Sequence, residues 1–177
     1  FGTVYACTKT DVVTGVTQKE AVKVVRVDFT PEDRASADEE GIPFADYYRA
    51  VKEKRLQEIR WMVALKSPHI VHINGYTAIE EPDHSALYIL IRMDCLTALD
   101  QLRPAHLNDT PEQAAALAEK VALDICDALR VCHENGICHR DIKPANILYG
   151  ATGDFYLGDF GVSQYTAAPD ATLTSSG

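Results

Sequence analysis

Two polar loops near the end of this 177-residue sequence restrict its fold more than any other feature. The first is His139-Arg140-Asp141-Ile142-Lys143-Pro144-Ala145-Asn146, and the second, Asp159-Phe160-Gly161, begins thirteen residues after that Asn. Each adjoins short apolar runs, Ile137-Cys138, Ile147 to Tyr149 and Phe155 to Leu157, with the length and character of strands. Any fold for the chain has to present these loops at strand ends, where two acids, an amide and a lysine converge.

The rest of the sequence supplies elements to carry them. Val4 to Cys7 and Glu20 to Val27 are rich in β-branched residues and are joined through Asp11-Val12-Val13-Thr14-Gly15, which predicts antiparallel strands. From Asp28 to Gly41 the acids Glu32, Asp33, Asp38, Glu39 and Glu40 predict an exposed connection. Phe44 to Lys66 places Tyr47, Val51, Leu56, Ile59, Met62, Val63 and Leu65 at helical spacing, and Ser67-Pro68 stops that helix. Ile70 to Tyr76 and Leu87 to Met93 predict two further strands around a polar turn at Glu80 to Ser85. Thr110-Pro111-Glu112-Gln113 combines an N-cap, Pro at the first helical position and Gln three residues after the cap. Leu117, Val121, Ile125, Leu129 and Cys132 form the buried stripe of the helix that follows, and Asn135-Gly136 ends it.

Composition narrows the function classes. A 46% hydrophobic content supports a substantial core, either one domain or one with a small subdomain. The longest apolar stretches, such as Ala86 to Ile91, fall far short of the roughly 18 to 20 residues a membrane span requires. A net charge of −9 without a Lys/Arg stripe argues against nucleic acid. Five cysteines lack the close pairs of a zinc site or a disulfide framework, which points to a reducing compartment. The chain opens on Phe1 and closes on Gly177 after a Thr/Ser run, as a piece of a longer protein would.

The chemistry these loops suit is phosphoryl transfer. It needs hard oxygen ligands for magnesium, a carboxylate to orient an attacking hydroxyl, and a cation beside the transferring group. Asp159 and Asn146 fit the first need, Asp141 the second and Lys143 the third.

In wording and order the two loops resemble the catalytic and magnesium loops of the protein kinase family. That resemblance implies an α+β, two-lobe fold. Residues 1–93 would form an N-lobe of antiparallel sheet with one major helix, incomplete at its start. Residues 94–177 would form the hinge and the first part of a mainly helical C-lobe, ending in the activation loop. Phe1-Gly2-Thr3-Val4 is similar to the end of the glycine-rich loop, and Lys23 in Ala21-Val22-Lys23 to the strand lysine on the ATP phosphates. Glu58 in Gln57-Glu58-Ile59-Arg60 is the carboxylate expected to pair with Lys23, with Glu53 as its rival. Gly2, Val4, Ala21, Ile91, Met93 and Leu148 match positions around the nucleotide, and Met62, Ile73, His139 and Phe160 match the stack linking the lobes. Arg92 departs from the pattern, since an acid is commoner there.

The resemblance also implies roles. Asp141 orients the substrate hydroxyl, Asn146 and Asp159 hold magnesium, Lys143 steadies the γ-phosphate, and Lys23 with Glu58 fixes the α/β-phosphates. Lys143-Pro144 resembles the Ser/Thr-specific class, and Gly153 to Gly161 is similar in phrasing to bacterial members. Thr166, Thr172, Thr174, Ser175 and Ser176 match an activation loop, whose phosphate would pair with Arg140. The implied function is ATP- and Mg2+-dependent transfer to Ser/Thr hydroxyls of protein substrates, with a catalytically silent pseudokinase scaffold or a small-molecule phosphotransferase as alternatives. The implied location is cytoplasmic, with no nucleic-acid partner and no membrane contact in this stretch, any anchor lying in sequence outside it.

Overall fold

The β-branched run around Ala21 becomes the long strand of an antiparallel sheet. Strand β1 (Thr3–Thr10) pairs with β2 (Thr17–Asp28). Their turn is fixed by Asp11, whose Oδ1 accepts from the Val13 and Thr14 amides at 3.0 and 2.7 Å. The computed structural model describes residues 2–102, 109–160 and 164–165. The chain divides into two units, Phe1–Ala64 with His72–Cys95, and Leu65–Val71 with Leu96–Gly177.

In the first unit, β3 (Ile73–Glu80) and β4 (Ala86–Asp94) complete a four-stranded sheet of order β1-β2-β4-β3. Register decides which side chains face the core. Leu87, Ile89 and Ile91 of β4 stand opposite Val27, Val25 and Lys23 of β2. The three β4 residues are buried, and they pack with Phe29, Tyr48 and Ile59. Tyr48 and Ile59 belong to helix α2 (Phe44–Ala64), the amphipathic helix expected from the sequence. Lys23 therefore shares a sheet face with the residues that pack against α2.

The connection from Asp28 to Gly41 is a correction. Residues Pro31–Glu39 form helix α1, with Thr30 as N-cap and a reciprocal capping box between Thr30 and Asp33. Thr30 Oγ1 accepts from the Asp33 amide at 3.2 Å, and Asp33 Oδ2 accepts from the Thr30 amide at 2.7 Å. Ala37 is its one buried residue. Side chains hold α1 in place: the Arg34 guanidinium lies 3.8 Å from the centre of the Phe44 ring and donates to the Asp83 carbonyl at 3.1 Å.

The second unit is built on helix α4 (Pro111–Glu134), the helix predicted from its cap; Thr110 and Gln113 form the capping box. Before it come the short strand β5 (Thr97–Ala98) and helix α3 (Leu99–Leu102). After it come β6 (Ile137–Cys138), β7 (Ile147–Tyr149), β8 (Phe155–Leu157) and β9 (Gln164–Tyr165). The strand orders are β5-β7-β8 and β6-β9. Ile125, Ala128 and Cys132 of α4 pack with Ile70, Ile137, Ile147, Phe155 and Leu157, with Leu117, Val121 and Leu129 around them. Cys132 is fully buried, and burial pushes its thiol up to about 11, so it is an apolar packing group. All five cysteines are free.

Candidate active site

The catalytic-loop candidates hang between β6 and β7. His139 leaves β6 and turns into the interior, 2% exposed. Its Nδ1 accepts from the Asp141 amide at 3.3 Å, so Nε2 carries the proton and donates to the Gly158 carbonyl at 2.8 Å. Burial lowers the affinity of the ring for a second proton, outweighing the pull of the Gly158 carbonyl, Asp159 and Asp141. The neutral imidazole thus ties the loop of Asp141 to the residue before Asp159, and its ring meets Phe160 edge-on at 4.8 Å.

Asp141 is bonded from two sides. Lys143 Nζ reaches its Oδ2 at 2.7 Å, and Asn146 Nδ2 donates to the same oxygen at 2.9 Å and to the Asp141 backbone carbonyl at 2.9 Å. The Lys143 ammonium holds the Asp141 carboxyl below the usual carboxylate range, and the Asn146 amide reinforces it. Both side-chain bonds land on Oδ2, so Oδ1 is the oxygen open to a further donor. Asn146 ends the 3₁₀ turn Pro144–Asn146 and is buried. With its Nδ2 committed to Asp141, its amide oxygen is the atom left for a cation.

Asp159 sits one residue beyond a second tie. The Gly158 amide donates to the Asn146 carbonyl at 2.9 Å. A Cβ at Gly158 would lie 3.0 Å from Leu148 Cδ1 and 3.3 Å from Val71 Cγ2, so those two side chains would have to give way by a few tenths of an ångström to admit one. Asp159 itself adopts φ +53 and Arg140 φ +67. Non-glycine residues avoid this left-handed region at a cost of about 1 to 3 kcal/mol, and of the three among the described residues two flank this one set of polar groups, the third, His84, lying in the turn after β3.

For magnesium, the residues present fit. Asp159 and Asn146 offer one carboxylate and one amide oxygen, and no cluster of three or more His, Cys, Asp or Glu suited to a metal occurs among the described residues. Magnesium is commonly held by one or two protein oxygens with water and substrate phosphates supplying the rest, and does not need an all-protein cage.

In the first unit, Lys23 is buried in the middle of β2, opposite Val4 of β1 and Ile91 of β4. Gly2 packs on it: an added Cβ would lie 2.6 Å from the Val24 carbonyl oxygen and 3.2 Å from Lys23 Cε. Ala21 is buried and faces Met93 across the sheet. Glu58, on α2 beside the buried Ile59, accepts from Arg55 at 3.3 Å, with its side chain 35% exposed. Its rival Glu53 is 61% exposed and is engaged by Arg60. Arg92 to Asp94 lie within β4. Arg92 reaches the Asn74 carbonyl at 3.3 Å and the carboxylate of the buried Glu20 at 3.6 Å. This basic residue, where an acid is commoner, is therefore matched by an acid on the neighbouring strand. Gly161 and the hydroxyls from Thr166 to Ser176 lie outside the described residues.

Reading the sequence did not single out Gly158 as a working residue. Its signal was its place before Asp159, but only the fold shows that both its backbone groups are taken up by the catalytic loop.

Known proteins share this sequence in part. A family model described as the protein kinase domain matches residues 1–176. Serine/threonine-protein kinase PknD of Mycobacterium tuberculosis is 38% identical over 113 residues, 64% of this chain and 16% of that protein. The serine/threonine-protein kinase drp72 of Corynebacterium efficiens is 30% identical over 158 residues, 87% of this chain and 26% of that protein. Aurora kinase B of Drosophila melanogaster is 35% identical over 116 residues, 66% of this chain and 33% of that protein. The chain thus spans a third or less of the length of these relatives.

Proposed function

The chain belongs to the protein kinase domain family, and on that premise we propose that the protein containing it transfers the γ-phosphoryl group of ATP, with magnesium, to Ser or Thr hydroxyls of protein substrates. The observation that carries this reading is the bonding of Asp141: one carboxylate oxygen anchored by Lys143 and Asn146, in a loop tied through His139 and Gly158 to that of Asp159. The family and the Ser/Thr kinases among its relatives support the reading further.

Asp141 Oδ1 orients the acceptor hydroxyl and takes its proton as the oxygen bonds to phosphorus and the bond to the ADP oxygen breaks. Lys143, half-exposed beside Asp141, moves to the γ-phosphate oxygens as they gain charge. The Asn146 amide oxygen and the Asp159 carboxylate hold magnesium, which when bound neutralises charge on the phosphates. Lys23 holds the α/β-phosphates, with Glu58, bonded to Arg55 in this structure, as its partner once it leaves Arg55, while Gly2, Val4, Ala21, Ile91, Met93 and Leu148 line the nucleotide site. Residues 1–93 act as the N-lobe and 94–177 as the hinge and start of the C-lobe. The domain works in the cytoplasm, where ATP and magnesium are abundant and free cysteines persist. Among the described residues, no helix is long and apolar enough to cross a membrane.

The full-length protein, given ATP and a generic protein acceptor, should transfer phosphate only when Mg2+ is present and stop when a chelator removes it. Nucleotide binding without transfer would favour the pseudokinase instead. A second test concerns pH. Lys143 is the largest cause of the lowered Asp141 pKa, so Lys143→Met removes a favourable positive charge and raises that pKa. The acid limb of the kcat/KM profile, which reports the free protein, should therefore move to higher pH than in the parent protein. An unmoved limb would mean that Asp141 is not the titrating group.

A further inference from the structure

Strand β8 leads into Asp159, two residues past its end, and its two edges are held by different means. On one edge, β7 pairs with it in the register Leu148 to Tyr156. On the other, the Leu157 amide donates to the His69 carbonyl at 2.8 Å and the Leu157 carbonyl accepts from the Val71 amide at 3.0 Å. At Phe155, two residues earlier, side chains replace backbone. The Phe155 amide donates to Asp124 Oδ2 at 2.9 Å, and the Phe155 carbonyl accepts from His69 Nδ1 at 3.0 Å.

Asp124 is an expensive choice for cohesion alone. It lies on α4 next to Ile125, on a face that otherwise buries Ile125, Ala128 and Cys132, and its side chain is 6% exposed. A buried carboxylate is tolerated only when donors satisfy it. Its Oδ2 takes the Phe155 amide and its Oδ1 takes Lys120 Nζ at 2.9 Å, with His69 Nε2 at 3.7 Å. Lys120 also reaches Asp154 Oδ1 at 2.8 Å, so the residue before Phe155 is gripped as well. An apolar side chain would fill the same space without the desolvation cost, but would leave the Phe155 amide buried and unbonded.

We infer that Asp124, assisted by His69, is a positioning residue for Asp159, fixing the start of the strand that leads into that carboxylate two residues past its end. This rests on the reading of Asp159 as a magnesium ligand. Phe155 is clamped by Asp124 and His69, Leu157 by the segment 69–71, and Gly158 by Asn146 and His139. The strand is thus held at three points, and releasing the first lets it pivot about the other two, displacing Asp159. Asp124 is bonded to Phe155 and Lys120, with His69 beside it, and to none of the residues proposed to hold nucleotide or metal.

The test measures binding in the full-length protein, by loss of the free-Mn2+ paramagnetic resonance signal in the presence of ADP, together with amide hydrogen exchange over 155–159. Asp124→Ala should weaken Mn2+ binding about tenfold, the lower end of what supporting partners of a metal ligand cost when removed. It should also speed exchange at Phe155 and beyond. Asp124→Asn, whose amide oxygen still accepts from Phe155, should bind within about twofold of the parent, and His69→Phe should fall between the two. Parent-like binding by both Asp124→Ala and His69→Phe, or equal damage from Asp124→Asn and Asp124→Ala, would overturn the inference. If Asp124→Ala does not fold, the comparison of His69→Phe with Asp124→Asn decides in the same sense: weaker binding by the first supports it, equal binding sinks it. Asp159→Ala separates the premise: retained Mn2+ binding there overturns the reading of Asp159 itself. Loss there with none in Asp124→Ala overturns the positioning role alone.

Discussion

Replacing Asp141 by Asn in the full-length protein is expected to lower kcat by about 10² to 10⁴, the range for loss of a general base, with nucleotide affinity unchanged. The substitution is nearly isosteric, and the Asn146 bond to the residue-141 backbone carbonyl does not depend on the carboxylate. His139 likewise bonds the residue-141 backbone amide. The loop should therefore keep its shape while losing the atom that accepts the hydroxyl proton. Steady-state kinetics at saturating ATP, with ADP affinity measured in parallel, separates this outcome from misfolding. A kcat within threefold of the parent would remove Asp141 from the mechanism.

The second large effect is expected at Lys23. Lys23→Met should reduce kcat/KM for ATP by about 10² to 10³, the loss expected when one preorganised donor to a charged group is deleted. Met approximates the length of the lysine stem that packs beneath Gly2, and the flanking residues Val4 and Ile91 are apolar. Met keeps that packing, so the protein should still unfold cooperatively on heating while ATP turnover collapses. Equal turnover by both proteins would return Lys23 to the status of a packed strand residue.

What was legible in the sequence followed from local signals strong enough to survive burial. The cap at Thr110 and the apolar stripe from Leu117 to Cys132 agree on one helix, and the structure has it as Pro111–Glu134. The words Thr30-Pro31-Glu32-Asp33 carry the same start signal, yet the helix at Pro31–Glu39 was read as a connection. It lacks an apolar stripe, burying only Ala37, and its acids cluster. Its attachment comes from Arg34 against Phe44 and the Asp83 carbonyl, pairings far along the chain or between unlike residue types. In the candidate site, residue types and spacing named Asp141, Lys143, Asn146 and Asp159. The positive φ values of Arg140 and Asp159 and the double use of Gly158 were not legible, because tertiary bonds impose them. Asp124 and His69 were hidden for a related reason. Each satisfies the backbone of a strand remote in sequence, and no local pattern records that.

The proposal stands most directly on where the phosphate goes. The full-length protein should be incubated with γ-labelled ATP, Mg2+ and a protein acceptor, and the acceptor hydrolysed to its phosphoamino acids, with Asp141→Asn run alongside. The account predicts label on serine or threonine from the parent protein and its near-complete loss from Asp141→Asn. Label on tyrosine or on a small molecule, or undiminished serine and threonine label from Asp141→Asn, would contradict it.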